Sequence, residues 1–331
     1  MAMQFIDGFD YIAQNNNAVK WDNNINNAFV TGIYGKGKAL TIGSTLTKTL
    51  PSNFTTGMVG FHIFSSSYVS ETLFRLLDAG TVQVDLRTDG TGKPFFTRNG
   101  TTIGSTSTTA LVANTWYWIE LQVTISTTVG VANLYINNVS VLAGSSLNTQ
   151  NTGNAFFNQM ALVAVSPNFL ADSFHFWDST AGDFTGFPYG EHIIDTRLPN
   201  AAGSNAAWTR GGTITGANFS QVNEANEDAD TTYVVSSTAN QIDSYAFPAM
   251  AETAGTIGTV AINTVDRIDD VGPHTMDHFT KSGASTALSA AISPSASYLN
   301  HQTFRGTDPN TSAAWTLTNL NAAEFGYKEL T

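Results

Sequence analysis

The chain has 331 residues, 42% hydrophobic and only 12% charged, with a formal net charge of −12 and no cysteine. That length holds two domains with real cores, and the acidic balance, with 14 Lys and Arg that form no run, excludes a phosphate-backbone partner such as nucleic acid. The lack of cysteine excludes a disulfide framework and a thiolate metal site.

Charged residues stand at about half their usual share of roughly 25%. Thr, Ser, Asn and Gly fill the gap, which favours strands and turns over helices. The opening stretch Met1-Ala2-Met3-Gln4-Phe5-Ile6-Asp7 has neither the basic region nor the apolar core of a signal peptide. No run approaches the ~20 apolar residues of a membrane helix. The expectation is a soluble protein, made in the cytosol and not inserted into a membrane.

Two short aromatic strands with Asp at their ends stand far apart in the chain: Asp7-Gly8-Phe9-Asp10-Tyr11-Ile12 and Asp172-Ser173-Phe174-His175-Phe176-Trp177-Asp178. Pairing them edge to edge would close residues 1–178 into one unit. Between them come short strand-like segments: Gly57 to Phe64, Thr72 to Leu77, and Thr81 to Arg87 ahead of an Asp89-Gly90 turn. The strongest runs from Thr115 to Ile125. Its alternation puts Tyr117, Ile119, Leu121, Val123 and Ile125 on a core face and Trp116, Trp118, Glu120 and Gln122 on an outer or concave face. Val131 to Asn137 pairs next, and Asn137-Asn138 turns the chain into Val139 to Leu142. Met160 to Val165 is a further buried run.

From Ser179 to Pro199 glycines, prolines and aromatics mark an ordered connection, with the boundary at 179–190. Strand patterning resumes at Glu191–Leu198, Thr231–Ser236, Asp243–Phe247, Thr256–Arg267 and His274–Thr280. A helical turn is expected over Leu317–Glu324, before a closing strand Phe325–Lys328. The fold class is therefore all-β: two β-sandwich, jelly-roll-like domains in tandem, 1–178 and 191–331. The paired Ala-Ala-Trp-Thr segments at 206–209 and 313–316 read as tryptophans capping the two ends of the second core.

Chemistry-bearing patterns are sparse. No strand carries the closely spaced carboxylates of a sandwich glucanase; Glu71 and Glu120 are isolated, and Glu191 and Asp195 have the wrong spacing. No Gly-x-Ser-x-Gly elbow is present. His274 and His278 would lie roughly 13 Å apart on a strand, too far to share an ion. The chain is thus expected to be non-enzymatic. Sugars stack on rings and bond to amides, so Trp116, Trp118, Tyr135, Asn137 and Asn138 are the candidate glycan ligands. The Asn-rich stretches at 15–17 and 23–27 could supply amides as well. Glu224, Asp228 and Asp230 lie in an acidic loop and are candidate Ca²⁺ ligands, set against the plainer reading of a solvated loop; no other cofactor is indicated.

The segments Phe5–Asp10, Thr115–Leu121, Ala132–Asn138 and Asp172–Asp178 together resemble the concanavalin A-like, laminin-G-type lectin/glucanase sandwich across residues 1–178. The second half resembles C-terminal regions of tailed-bacteriophage virion proteins, through Gly190–Asn200, Ala207-Trp208-Thr209, Asp228–Val234 and Ala314–Lys328. This resemblance implies a virion protein assembled in the host cytoplasm: a tail fibre or adhesin component touching host-surface glycans. It also implies other virion proteins as partners and self-association, for instance as a trimer. A head decoration or head-fibre protein is the alternative within virions. A bacterial carbohydrate-binding module or glycosidase accessory domain is the alternative outside them.

Overall fold

The computed structural model describes the chain at all positions except 1, 12–16, 24–27, 164–168, 181, 183–185, 214–215 and 251–254. Most of the two Asn-rich stretches lies outside the described residues. The chain divides into two compact units, the first of Met1–Asp10 and Gln14–Asp195 and the second of Tyr11–Ala13 and Thr196–Thr331. The division falls later than the 179–190 connection expected from composition. Glu191–Leu198, expected as the first strand of the second domain, is extended without ladder pairing, and its first half belongs to the first unit.

The first unit is a two-sheet sandwich. Its front sheet runs β12 (Val139–Leu147), β11 (Gly130–Ile136), β10 (Tyr117–Thr124), β5 (Thr56–Phe64), β14 (Leu170–Asp178), β3 (Lys38–Thr41), β2 (Phe29–Thr31), with β1 (Met3–Asp7) also paired to β14. The back sheet runs β4 (Leu46–Phe54), β13 (Phe157–Leu162), β6 (Thr72–Asp78), β7 (Thr81–Thr88), β8 (Pro94–Arg98), β9 (Thr101–Thr106). Edge strand β4 went unmarked in the sequence because Pro51 interrupts it; a proline is tolerated there because an edge leaves one row of donors unused.

The opening segment does lie beside β14, but the strand that pairs is Met3–Asp7; of the expected strand Asp7–Ile12 only Asp7 is in the ladder, residues 8–11 form no strand, and residue 12 lies outside the described residues. Met3 faces Trp177, Phe5 faces Phe176 and Asp7 faces Phe174, antiparallel. A bulge between Asp172 and His175, with Ser173 at φ 51°, resets the alternation of β14. Phe174 and Phe176 then point into the sandwich, where Phe174 meets Phe61 and Phe74, and Phe176 meets Phe54 and Phe157, at centroid distances of 5.1–6.2 Å. These rings bridge the two sheets. Ile119, Leu121, Val123 and Ile125 are buried on the same side, as the alternation required.

Asp7 anchors the opening strand. Fully buried, it accepts from Trp21 Nε1 at 2.7 Å and Phe9 N at 2.9 Å, and faces Lys20 Nζ at 3.2 Å. Lys20 is buried too, and desolvation pulls its ammonium below its ordinary pKa.

In the second unit a five-stranded sheet runs β15 (Ala201–Ala206), β18 (Ile242–Ala246), β23 (Glu324–Glu329), β20 (Met276–Ser282), β21 (Ser285–Leu288). Two ribbons, β16 (Thr209–Gly212) with β17 (Thr232–Val235) and β19 (Val260–Asp266) with β22 (Leu299–Arg305), make the second layer. Trp315, Ile262 and Phe325 form one core cluster; Tyr245, Met276 and Tyr327 form the other, with Trp208 packed on it. The two tryptophans thus serve opposite ends of one sheet face. A short helix α1 (Leu317–Ala322), capped by Thr316, leads into β23.

Replacing Asp7 by Ala leaves the buried Lys20 ammonium without its facing carboxylate. The expected loss is about 3–5 kcal/mol, read as a lower denaturant midpoint with unchanged slope. Parent-like stability would show that Asp7 does not anchor the first strand.

Candidate functional site

Strand register decides which side chains meet on the outer face of the front sheet. His62 lies opposite Trp118, and Gly60 lies opposite both Glu120 and His175. Tyr135 lies opposite Glu120 on the next strand. A Cβ on Gly60 would stand 2.6 Å from His175 Nε2 and 2.7 Å from the Trp118 ring. Only glycine there lets the indole and the imidazole approach across β5, at 5.2 Å between centroids.

The chain then returns over this face as an extended strap, residues 187–194. Phe187 packs edge-on against Tyr135 at 5.4 Å. The Glu120 carboxylate accepts the backbone N–H of Tyr189 and, at 3.0 Å, that of Gly190. Glu191 N donates to Asn138 Oδ1 at 2.9 Å. The Glu191 carboxylate meets His62 Nε2 at 3.0 Å and accepts from the Tyr34 hydroxyl. His192 stacks on Tyr189 at 4.4 Å and faces His175 at 6.0 Å. Ile194 N donates to Ser173 Oγ at 3.2 Å. Gly190 turns the strap at φ 101°, a conformation that favours glycine.

The face is consequently closed. His62 and Glu120 are 0% exposed, Trp118 1% and His175 3%. Burial lowers the pKa of all three imidazoles, that of His175 to about 3. Burial also raises the Glu120 carboxyl, against the pull of the two strap N–H groups. Glu191 is held below the ordinary range, because the hydrogen bonds from Tyr34 and His62 outweigh its partial burial. His62 Nδ1 and His175 Nε2 are buried without a hydrogen-bond partner. Among neutral imidazoles such nitrogens are tolerated at a cost; as cations they would be far more expensive.

The glycan candidates fare unevenly. Trp118 is corrected outright: it lies under the strap, and its ring contacts His62 at 4.8 Å. Tyr135 is half-buried beneath Phe187, and Trp116 is half-buried against Phe64 at 5.6 Å. Asn137 and Asn138 are exposed at the hairpin turn, at φ 49° and 66°. Their Oδ1 atoms are already engaged, by Trp118 N and Glu191 N, so their amide N–H groups are what they present to solvent.

The Ca²⁺ expectation is also corrected. Asp228 accepts from Thr232 N and Thr232 Oγ1 at 3.0 and 2.9 Å, closing its own turn. Asp230 pairs with Arg267 at 2.8 Å and accepts from the Tyr298 hydroxyl. Glu224 is half-buried, its pKa pushed up to about 7 by desolvation and by neighbouring carboxylates. Among the described residues no group of three His, Cys, Asp or Glu side chains could hold a metal ion.

Sequence reasoning set Glu120 aside as isolated and Glu191 for its spacing to Asp195, and did not weigh Tyr34 or His62. Parity held the only signal: Glu120 and Trp118 share a strand face, as do His175 and Trp177.

The first unit is an antiparallel two-sheet β-sandwich, and the second is a smaller all-β unit. No protein-family model matches the chain, and no curated protein matches it. Among solved structures, the chain is similar to the alginate lyase Aly36B, at 14% identity over 46% of this chain and 81% of the lyase, with a TM-score of 0.32. Domain 4 of AbnA, a GH43 extracellular arabinanase from Geobacillus stearothermophilus solved with arabinotriose, aligns at 18% identity, 47% and 77% coverage and a TM-score of 0.33. The Caenorhabditis elegans galectin LEC-6 aligns at 11% identity, 41% and 93% coverage and a TM-score of 0.30.

Replacing Glu120 by Ala orphans two strap amides. Loss of roughly 2–3 kcal/mol should speed amide exchange at Tyr189 and Gly190 by about 30- to 150-fold, while β5 and β10 stay protected. Unchanged exchange would mean that Glu120 does not hold the strap.

Proposed function

We propose that this chain is a non-enzymatic structural protein of a tailed-phage virion, with its lectin-type unit as the part of a tail fibre or adhesin that contacts host-surface glycans. The observation that carries the non-enzymatic part is the strap. His62, Glu120 and His175 on the outer face of the front sheet are buried beneath it, and Glu120 accepts backbone N–H groups instead of facing a substrate. Glycosidases need two carboxyl groups flanking an open cleft, at about 5–10 Å from each other. Here Glu191, the other carboxylate of the face, is tied to His62 and Tyr34. The virion setting is supported by the sequence resemblance of the second half.

For glycan contact, the exposed Asn137-Asn138 turn supplies amide donors beside the half-buried Tyr135 ring. The second unit, with its own core, would serve attachment and self-association within the particle.

Incubation with a panel of oligosaccharides tests the first part. Binding without turnover is expected, and Asn138→Ala should weaken it about 5- to 10-fold by removing one hydrogen-bonding group. Release of shortened products defeats the non-enzymatic reading. Antibody labelling of intact particles tests the second part: label at the tail tip is expected, whereas label on the head makes the chain a decoration protein, and no label on any particle removes the virion reading.

A further inference from the structure

Charge is spread unevenly along this chain. Its formal net charge is −12, yet no Asp, Glu, Lys, Arg or His occurs from Asn99 to Ile119 or from Leu121 to Ala171. The single charge between those stretches, Glu120, is 0% exposed. The fold gathers much of this neutral sequence on one side of the first unit. β9 ends the back sheet and β12 ends the front sheet. These two edges approach each other: a Cβ on Gly104 of β9 would stand 3.7 Å from Leu147 Cδ1 of β12. Behind β12, β11 and β10 add no exposed charge, and beyond β9 the first charge is the half-buried Arg98 of β8.

The side is open. Every residue of β9 except Ile103 is exposed, as are Val139, Ser140, Ala143, Ser145 and Ser146 of β12. Val139, 63% exposed, opens β12; Val129, 67% exposed, stands in the hairpin beside its far end, where Gly130 pairs with Leu147. Proteins commonly guard such edges with Lys, Pro or bulges. Here there is no charge and no proline in either strand, and only bulges remain: the register of β12 shifts twice against β11, and that of β9 once against β8. Bulges bend the edge, so side chains make the contact this side offers, in place of an added strand.

We propose that this side, the edges of β9 and β12 with the 125–129 hairpin, is where a second copy of the same chain packs, as a two-fold dimer. A two-fold contact uses the same patch on both partners. Charges near the axis would therefore meet their own copies, and like charges face to face oppose association. Two chains of net charge −12 also repel on approach. The side without exposed charge is where they can meet without adding to that repulsion. A basic partner would be drawn to the acidic surfaces instead, so neutrality favours a second copy over it. The nine residues of β12 span about 30 Å, which with the flanking hairpin suits a contact at the small end of stable interfaces. The contact goes beyond the self-association proposed for the second unit, and it stands whether or not the chain belongs to a particle.

Sedimentation of the full chain, from about 1 to 100 µM in about 150 mM salt, tests this, and the mass of two chains is expected. Ser140→Glu on β12 and Thr102→Glu on β9, both at exposed positions, should each raise the dimer Kd about tenfold or more, with the circular dichroism of the parent. Thr286→Glu puts an equal charge at an exposed position on β21 of the second unit; it should leave the Kd within about twofold. Raising the salt to about 500 mM should hold or tighten the wild-type dimer, because only repulsion is screened. On the wild type, a monomer throughout, a mass other than two chains, or a dimer that loosens in salt overturns the proposal. So does a dimer that either Ser140→Glu or Thr102→Glu leaves unchanged, or one that Thr286→Glu weakens equally.

Discussion

The pairing of the first strand with β14 is the constraint on which the larger unit depends. β14 lies inside the front sheet, with β5 on one side and β1 and β3 sharing the other. Its bulge at Ser173 sends Phe174 and Phe176 into the bridge of rings between the sheets, and His175 and Trp177 to the outer face. Asp7, with Lys20 and Trp21, then fixes the strand that covers its edge. Such contacts join residues more than 160 positions apart, so closing them carries a loop entropy that local pairing does not. The buried ion pair is less a source of net stability than a condition on register, since a slipped strand would strand both charges.

The same strand leads directly to the strap. Only eight residues separate Asp178 from Phe187, so the chain can turn back over the sheet it has just left. A polar face with a buried carboxylate and imidazoles would be costly if dry and unpaired. The strap makes it tolerable by supplying backbone N–H donors to Glu120 and a carboxylate to His62. In turn the strap, which has no ladder of its own, is ordered by those side-chain acceptors. Each is the other's hydrogen-bond partner, and the face closes as one network.

The second unit solves a different problem. Its five-stranded sheet is short, and the layer over it is assembled from two ribbons and loops, so aromatic residues supply much of its core. Tyr245 and Tyr327 share a 2.6 Å hydroxyl contact, and Tyr245 also donates to Asp243. Burying phenols in this way is stable only where each hydroxyl has a partner. On the opposite face, Glu324 draws together Lys281, Ser204 and Ser244, and these bonds hold its carboxyl down to about 2.

The sequence by itself determined the all-β class, the edge-to-edge closure, the facing of Thr115–Ile125, the Asn137-Asn138 turn and the tryptophan caps. Each of these follows from alternation, turn chemistry or a large apolar ring, properties carried by a few neighbouring residues. It did not reveal the strap, the fate of Trp118 or the company kept by Glu120 and Glu191, and it offered a Ca²⁺ loop in which Asp228 closes its own turn and Asp230 pairs with Arg267. Those outcomes were decided by tertiary structure alone. Alternation says which way a side chain points, but not whether water or another part of the chain will meet it there. Partners separated by scores of residues are matched only when register brings them within a hydrogen bond.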